Sequence, residues 1–157
     1  MIKKLKNWLW FVLLAIFGFL FIKKKKIKDT SYKSIKDLYK KAMPKAYLYL
    51  VDSKYYIPTI KEVREFLAED KTDLIKYLEN LLDCDDFAII LAGASRLKSN
   101  FRLGIATSQV HAYNTIPVIN DDGVMEVIII EPQTDDIFTV REAEKGSEAY
   151  HTVFVWL

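Results

Sequence analysis

Residues 85–97 have the sequence DDFAIILAGASRL, an apolar run with two acids at its start and Arg96 near its end. This charge order suits the dipole of an α-helix, whose amino end favours anions and whose carboxyl end favours cations. Because polar side chains barely interrupt the run, the helix is predicted to be buried. Cys84, the single cysteine of the chain, directly precedes this run and therefore lies at the predicted start of the helix.

Two helices are predicted before this run. Residues 59–70, TIKEVREFLAED, begin with Thr59 and, three residues later, Glu62, which is the spacing of a capping box. Residues 72–82, TDLIKYLENLL, repeat apolar side chains at helical intervals, so a second helix is expected there. Upstream, residues 47–58 alternate aromatic and polar side chains around an Asp-Ser-Lys turn and predict two short strands.

The pattern changes to strands after residue 100. Runs of β-branched and aromatic residues separated by turn signals such as Asn120 to Gly123 predict strands within residues 101–114, 123–133, 136–140 and 149–157. Helices followed by an antiparallel sheet define an α+β fold.

The amino-terminal segment is typical of a membrane segment. Residues 1–28 carry eight lysines and no acid, and the apolar run from Trp8 to Ile22 lies between two lysine clusters. An uncleaved single-span anchor is favoured over a signal peptide because no small-residue cleavage site precedes the second cluster. We therefore predict a membrane location, with the side of the membrane left open, or secretion if the segment is cleaved.

The predicted organisation is an anchor at residues 1–28, a linker at 29–46 and an α+β domain at 47–157. The net charge of the whole chain is only +2, so the residues after the lysine-rich segment are acidic overall. The basic charge thus belongs to the membrane end, and nucleic acid is not a predicted partner. HExxH, CxxC, GxxxxGK[ST] and GxGxxG motifs are absent from the sequence, which argues against zinc-hydrolase and nucleotide-binding functions.

Three residues suggest thiol chemistry. Cys84 begins a predicted helix, His111 lies in the first part of the predicted sheet, and Glu131 ends an apolar strand. A thiol, an imidazole base and a carboxylate that orients the base form the arrangement used in acyl transfer. The helix amino terminus favours a Cys84 thiolate, whereas the neighbouring aspartates oppose it, so the local sequence leaves its reactivity open.

The segments DCDDFA (83–88), HAYN (111–114) and IEPQT (130–134) resemble a known family. They are similar to the papain-like domain at the carboxyl terminus of the mushroom agglutinin family, which also occurs in bacterial and phage proteins described as lectin-like. The resemblance covers roughly residues 47–157. It implies a papain-like fold in which Cys84 is the nucleophile, His111 the general base and Glu131 the residue that orients His111, with Gln133 in the active site.

The resemblance also implies partners and an activity. Together with the predicted anchor, it indicates a membrane-tethered cysteine peptidase acting on a peptide or protein substrate. An acyl-enzyme resolved by an amine would make the same triad a transglutaminase-type transferase. It requires no organic cofactor, and it adds calcium as an optional ligand, for which aspartates such as Asp85 and Asp135 offer oxygen atoms. The alternatives are a non-catalytic module that binds a peptide or glycan at a membrane and a structural protein that spaces its partners.

Overall fold

Two long neighbouring strands organise the protein, which we describe from a computed structural model of residues 29–157. The described residues form a mixed α+β domain, which confirms the predicted class. The strands are β1 (Asp29–Ser31), β2 (Tyr47–Tyr49), β3 (Lys54–Tyr56), β4 (Gly104–Thr107), β5 (Ala112–Ile119), β6 (Met125–Ile130), β7 (Ile137–Thr139) and β8 (Phe154–Trp156). The helices are α1 (Tyr32–Ala42), α2 (Ile60–Glu69), α3 (Cys84–Lys98) and α4 (Val140–Gly146), with 3₁₀ turns at Thr72–Leu74 and Glu148–Tyr150.

The main sheet has six strands in the order β2-β8-β4-β5-β6-β7. β2 and β8 pair in parallel, and the other neighbours are antiparallel. β1 and β3 form a separate antiparallel ribbon. The long β5–β6 hairpin lies inside the sheet, so its strand ends determine which loop residues meet.

The apolar run of β6 is buried on both faces of the sheet. Val127 and Ile129 belong to a core cluster that includes Tyr39 of α1. Ile128 and Ile130 belong to a second cluster with residues of α2 and α3. Successive side chains of a strand point to opposite faces, so a continuous apolar run needs cover on both sides. The helices supply that cover.

A buried amide fixes α3 on β5. Asn114 is fully buried, and its Nδ2 donates to the Ala88 carbonyl at 2.9 Å and to the Gly104 carbonyl at 3.1 Å. Ala88 lies near the start of α3 and Asn114 near the start of β5. The two elements therefore begin at the same end of the domain, and Cys84 and His111 lie at that end.

The predicted capping box is confirmed. The Glu62 side chain accepts a hydrogen bond from the Thr59 backbone N at 2.9 Å, and the Glu62 backbone N donates to the Thr59 hydroxyl at 3.3 Å.

The predicted helix at residues 72–82 is wrong, because only a 3₁₀ turn forms at Thr72–Leu74. Asn80 has a φ of 61°, a left-handed conformation that interrupts a helix.

The linker predicted at residues 29–46 is instead part of the folded domain. It contains β1 and α1, and Ile35, Tyr39 and Met43 are buried in the core. These residues recur every four positions and form one face of a helix, while the lysines that suggested a linker lie on the other faces. The folded unit therefore begins before residue 47.

The predicted membrane segment, residues 1–28, lies outside the described residues. Within residues 29–157, no helix combines the length and the apolar character needed to cross a bilayer.

Two isoleucine-to-alanine substitutions test the position of the core. Ile129 is fully buried, whereas Ile89 on α3 is 53% exposed. We expect Ile129→Ala to lower the free energy of unfolding by about 2–5 kcal/mol, because it removes buried methyl groups and leaves a cavity. Ile89→Ala should change stability by less than about 1 kcal/mol. Urea denaturation measures both, and equal losses would contradict the described packing.

Candidate functional site

A histidine, a glutamate and a tyrosine form a hydrogen-bonded cluster at the end of the sheet. His111 Nε2 lies 2.7 Å from Glu131 Oε2, and the Tyr150 hydroxyl donates to the same oxygen at 2.9 Å. The side chains of His111 and Glu131 are only 18% and 11% exposed. A partly buried carboxylate is stable when such donors satisfy it, so this cluster is a preorganised polar site.

Strand pairing explains why these residues meet. His111 directly precedes β5 and Glu131 directly follows β6. In an antiparallel pair the start of one strand lies beside the end of its neighbour. A turn holds His111, whose backbone N donates to the Ser108 hydroxyl at 3.0 Å, while the Ser108 backbone N donates to the His111 carbonyl at 2.9 Å.

Aromatic rings surround the imidazole. The His111 ring centroid lies 5.7 Å from that of Tyr113 and 5.6 Å from that of Tyr150, the second pair being edge-on. Burial, followed by the hydrogen bond to Glu131, raises the pKa of Tyr150 above its ordinary value. Burial also raises the pKa of Tyr113 to about 12, against the opposing effect of its hydrogen bond with Thr152. Both phenols are therefore protonated donors at neutral pH.

Tyr150 is the member of the cluster that the sequence did not predict. It lies in a 3₁₀ turn that the sequence predicted as a strand. Nothing in its sequence spacing relates it to Glu131, which is 19 positions away. The sequence around Tyr150, residues 149–157, shows β-branched and aromatic side chains, a pattern that predicts a strand and gives no indication of a polar site.

Cys84 begins α3, as predicted, but it does not join the cluster. Asp83 caps the helix through its backbone N, which donates to Asp86 Oδ2 at 3.2 Å. The thiol is half-buried. Within residues 29–157, no hydrogen bond links it to His111, and the Nδ1 atom of His111 has no hydrogen-bond partner. The structure thus brings His111 and Glu131 together and leaves Cys84 as a neighbour at the same end of the domain.

Gln133 contacts the cluster through its backbone alone. Its N donates to Glu131 Oε1 at 3.4 Å, a long hydrogen bond, and its side chain is half-buried. Backbone bonds hold the rest of this loop, since the Glu131 N donates to the Asp136 carbonyl at 2.9 Å and the Asp135 N donates to the Glu131 carbonyl at 2.9 Å. The loop therefore holds the backbone N, the backbone carbonyl and one carboxylate oxygen of Glu131.

The first turn of α3 is acidic and lies beside an exposed aromatic ring. The ligand atoms of Asp83, Cys84 and Asp85 lie within 4.8 Å of one another. The hydrogen bond that the protonated Asp85 carboxyl donates to Asp83, followed by burial, raises the pKa of Asp85. Tyr77 is 48% exposed, and its ring centroid is 6.3 Å from that of Phe87.

Calcium ligation stays a prediction. Asp121 and Asp122 lie in the turn before β6, whereas Asp135 and Asp136 lie in the loop after it. These pairs are at opposite ends of one strand and do not combine into one site. Calcium takes six to eight oxygen ligands, and neither aspartate pair supplies that number from its side chains.

Solved structures show which known fold this domain resembles. The α+β domain is similar in fold to about half of the Polyporus squamosus lectin.

Two such structures are the PSL1a–E64 complex, with 20% identity and a TM-score of 0.61, and the Polyporus squamosus lectin bound to the human-type influenza-binding epitope Neu5Aca2-6Galb1-4GlcNAc, with 19% identity and a TM-score of 0.59. Each match covers 82% of this chain, and the chain spans 50% and 49% of the respective proteins. No protein-family model and no curated protein matches the sequence.

The likeness confirms the resemblance to the agglutinin family at the level of the fold. The prediction of a cysteine hydrolase or acyl transferase with a catalytic triad is contradicted, because the similar structures are lectins. In the described residues, Glu131 and Tyr150 hold the imidazole, and the Cys84 thiol makes no hydrogen bond to it. A binding module, the alternative stated above, fits these findings better than an enzyme.

An aspartate next to the site makes stability depend on pH. Burial, followed by the charges of Asp73 and Asp70, raises the pKa of Asp135 to about 6. The folded state therefore holds this proton more tightly than the unfolded chain, whose aspartates titrate near 3.9. The resulting stabilisation is present below the unfolded pKa and is lost as pH rises through about 6.

Asp135→Asn should remove this dependence. Asn tolerates the φ of 60° at this position. We expect the variant to be more stable than the wild type near pH ~8 and to match it near pH ~4, where Asp135 is protonated. Urea denaturation at the two pH values measures the difference, with Asp122→Asn in the exposed β5–β6 turn as the control. A stabilisation of equal size at both pH values would be incompatible with the raised pKa.

Proposed function

We propose that this chain is a non-catalytic glycan-binding module of papain-like fold. The observation that carries the proposal is the His111–Glu131–Tyr150 cluster. It holds two hydrogen-bonding groups, the His111 imidazole and the Glu131 carboxylate, beside aromatic rings. The lectin bound to a glycan epitope, which has a similar fold, supports it. Residues 29–157 would form the module, and residues 1–28 would anchor it to a membrane in a single pass.

The polar groups of the cluster match the chemistry of sugar hydroxyls. A hydroxyl both donates and accepts hydrogen bonds. Within residues 29–157, Glu131 Oε1 accepts a single long hydrogen bond, from the Gln133 N at 3.4 Å, so it has capacity to accept another from a ligand. His111 Nδ1 offers a second partner. Because Tyr150 and the loop already hold these groups in place, a ligand would lose little entropy in ordering them.

Aromatic side chains supply the second requirement. The C–H faces of a sugar ring are apolar and pack against aromatic rings, while its hydroxyls point outward. Tyr77 presents a half-exposed ring beside the start of α3, at the end of the domain where His111 lies. Cys84, the first residue of α3, would line the site as a small side chain.

Charge favours a neutral sugar. Asp83, Asp85 and Asp86 surround the start of α3, and Glu131 adds a further carboxylate. An anionic sugar would meet repulsion from these groups, whereas a neutral or amino sugar would not. We therefore expect selectivity that differs from that of a sialic-acid binder.

A glycan array tests the proposal with the 157-residue chain in nonionic detergent. We expect binding to neutral glycans and weaker binding to sialylated ones. His111→Ala and Tyr77→Ala should each weaken binding by about 5- to 10-fold, the effect of losing one hydrogen bond or one ring contact. Tyr49→Ala, at an exposed tyrosine on the edge strand β2, is the matched control and should bind normally.

Chemical labelling of Cys84 separates a binding module from an enzyme. A module requires that Cys84 reacts with iodoacetamide no faster than a free cysteine at neutral pH. An activated thiolate reacts much faster. Rapid labelling that His111→Ala abolishes, combined with no binding on the array, would refute the proposal.

A further inference from the structure

We propose that a cavity between α1, β6 and α4 binds a single-chain amphiphile with an anionic headgroup. The cavity has a volume of about 620 Å³. Sites for small organic ligands commonly have volumes of about 300–1,000 Å³. His111, Glu131 and Cys84 are not among its lining residues, so this would be a second site, independent of the proposed glycan site.

The walls of the cavity are apolar. Leu38 and Ala42 contribute from α1, Met125 and Val127 from β6, and Val140 from α4. Val127 and Val140 are buried, and the other three are half-buried. Leu38, Ala42 and Met125 thus keep part of their surface in water. An apolar chain that fills the cavity would remove this surface from water, which is favourable.

The mouth of the cavity carries cations. Lys41, Arg141 and Lys145 line it and are exposed, and within residues 29–157 none of the three forms an ion pair. Exposed cations without partners at the edge of an apolar cavity favour a ligand whose head is an anion.

Two acids also line the cavity, and they do not cancel these cations. Glu126 is half-buried on β6. Glu144 on α4 is also half-buried. His151 also lines the mouth, and its Nε2 lies 3.3 Å from the Glu144 carbonyl. The three exposed cations therefore outnumber the two half-buried acids of the lining.

This chemistry distinguishes the occupant from a glycan or an acidic peptide. A glycan would leave the apolar walls uncovered, because its surface consists largely of hydroxyls. An acidic peptide would satisfy the cations but not the walls. A carboxylate or phosphate on a single alkyl chain satisfies both, and a fatty acid is the simplest member of this class.

Photoaffinity labelling tests the inference on the whole chain in nanodiscs of neutral lipid. The probe is a long-chain fatty acid that carries a diazirine in its alkyl chain. We expect crosslinks to peptides of α1, β6 and α4. Lys41→Glu with Lys145→Glu should reduce this labelling by about tenfold, because the head loses its partners. The matched control is Lys61→Glu with Lys71→Glu, which reverses two exposed charges that lie away from the cavity.

Two further measurements keep the test decisive. An alcohol probe with the same alkyl chain should label the cavity about tenfold less than the acid if the head charge matters. Ala42→Phe should block labelling by filling the cavity, with circular dichroism confirming that the variant folds. Labelling confined to residues 1–28, or equal labelling of the cavity variant and its control, would overturn the inference.

Discussion

Burial of the β5–β6 hairpin on both faces is the constraint on which the rest of the structure depends. Four consecutive apolar residues in β6 point alternately to α1 and to the α2–α3 side. Neither helix layer alone could remove them from water. The hairpin in turn brings the start of β5 beside the end of β6, so His111 and Glu131, which flank the hairpin, meet. The candidate site follows from strand pairing, and strand pairing follows from the two-sided core.

Hydrogen bonds then give the site its character. Tyr150 and His111 share one oxygen of Glu131, and the loop after β6 holds the carboxylate by its backbone. Tyr150 is followed directly by His151, which lines the cavity of the second proposed site. The two sites are therefore adjacent through one 3₁₀ turn, while their chemistry differs: a small polar cluster with aromatic rings in one case, an apolar cavity with a cationic mouth in the other.

Local signals predicted much of the fold and half of the candidate site. The Thr59–Glu62 capping box and the charge order of residues 85–97 each depend on neighbours within one or two helical turns, and both predictions hold. The helix expected at residues 72–82 has equally regular apolar spacing, but Leu74 and Leu81 are 71% and 80% exposed. Spacing alone therefore cannot show whether a surface exists for a helix to cover. In residues 29–46 the many exposed lysines suggested a linker, although Ile35, Tyr39 and Met43 form a buried face. Composition alone therefore did not show that a surface exists for this helix to cover.

The sequence by itself determined the α+β class and the start of the Cys84 helix, because capping and alternation depend on short stretches of residues. It named His111 and Glu131 together only through the hypothesis of a thiol site. Only the tertiary structure decided that Tyr150 completes the cluster, that Cys84 makes no hydrogen bond to His111, and that α1 closes one face of the sheet over a cavity. These features join residues that are far apart in the chain. Their distances depend on how the two core layers pack, which no local pattern encodes.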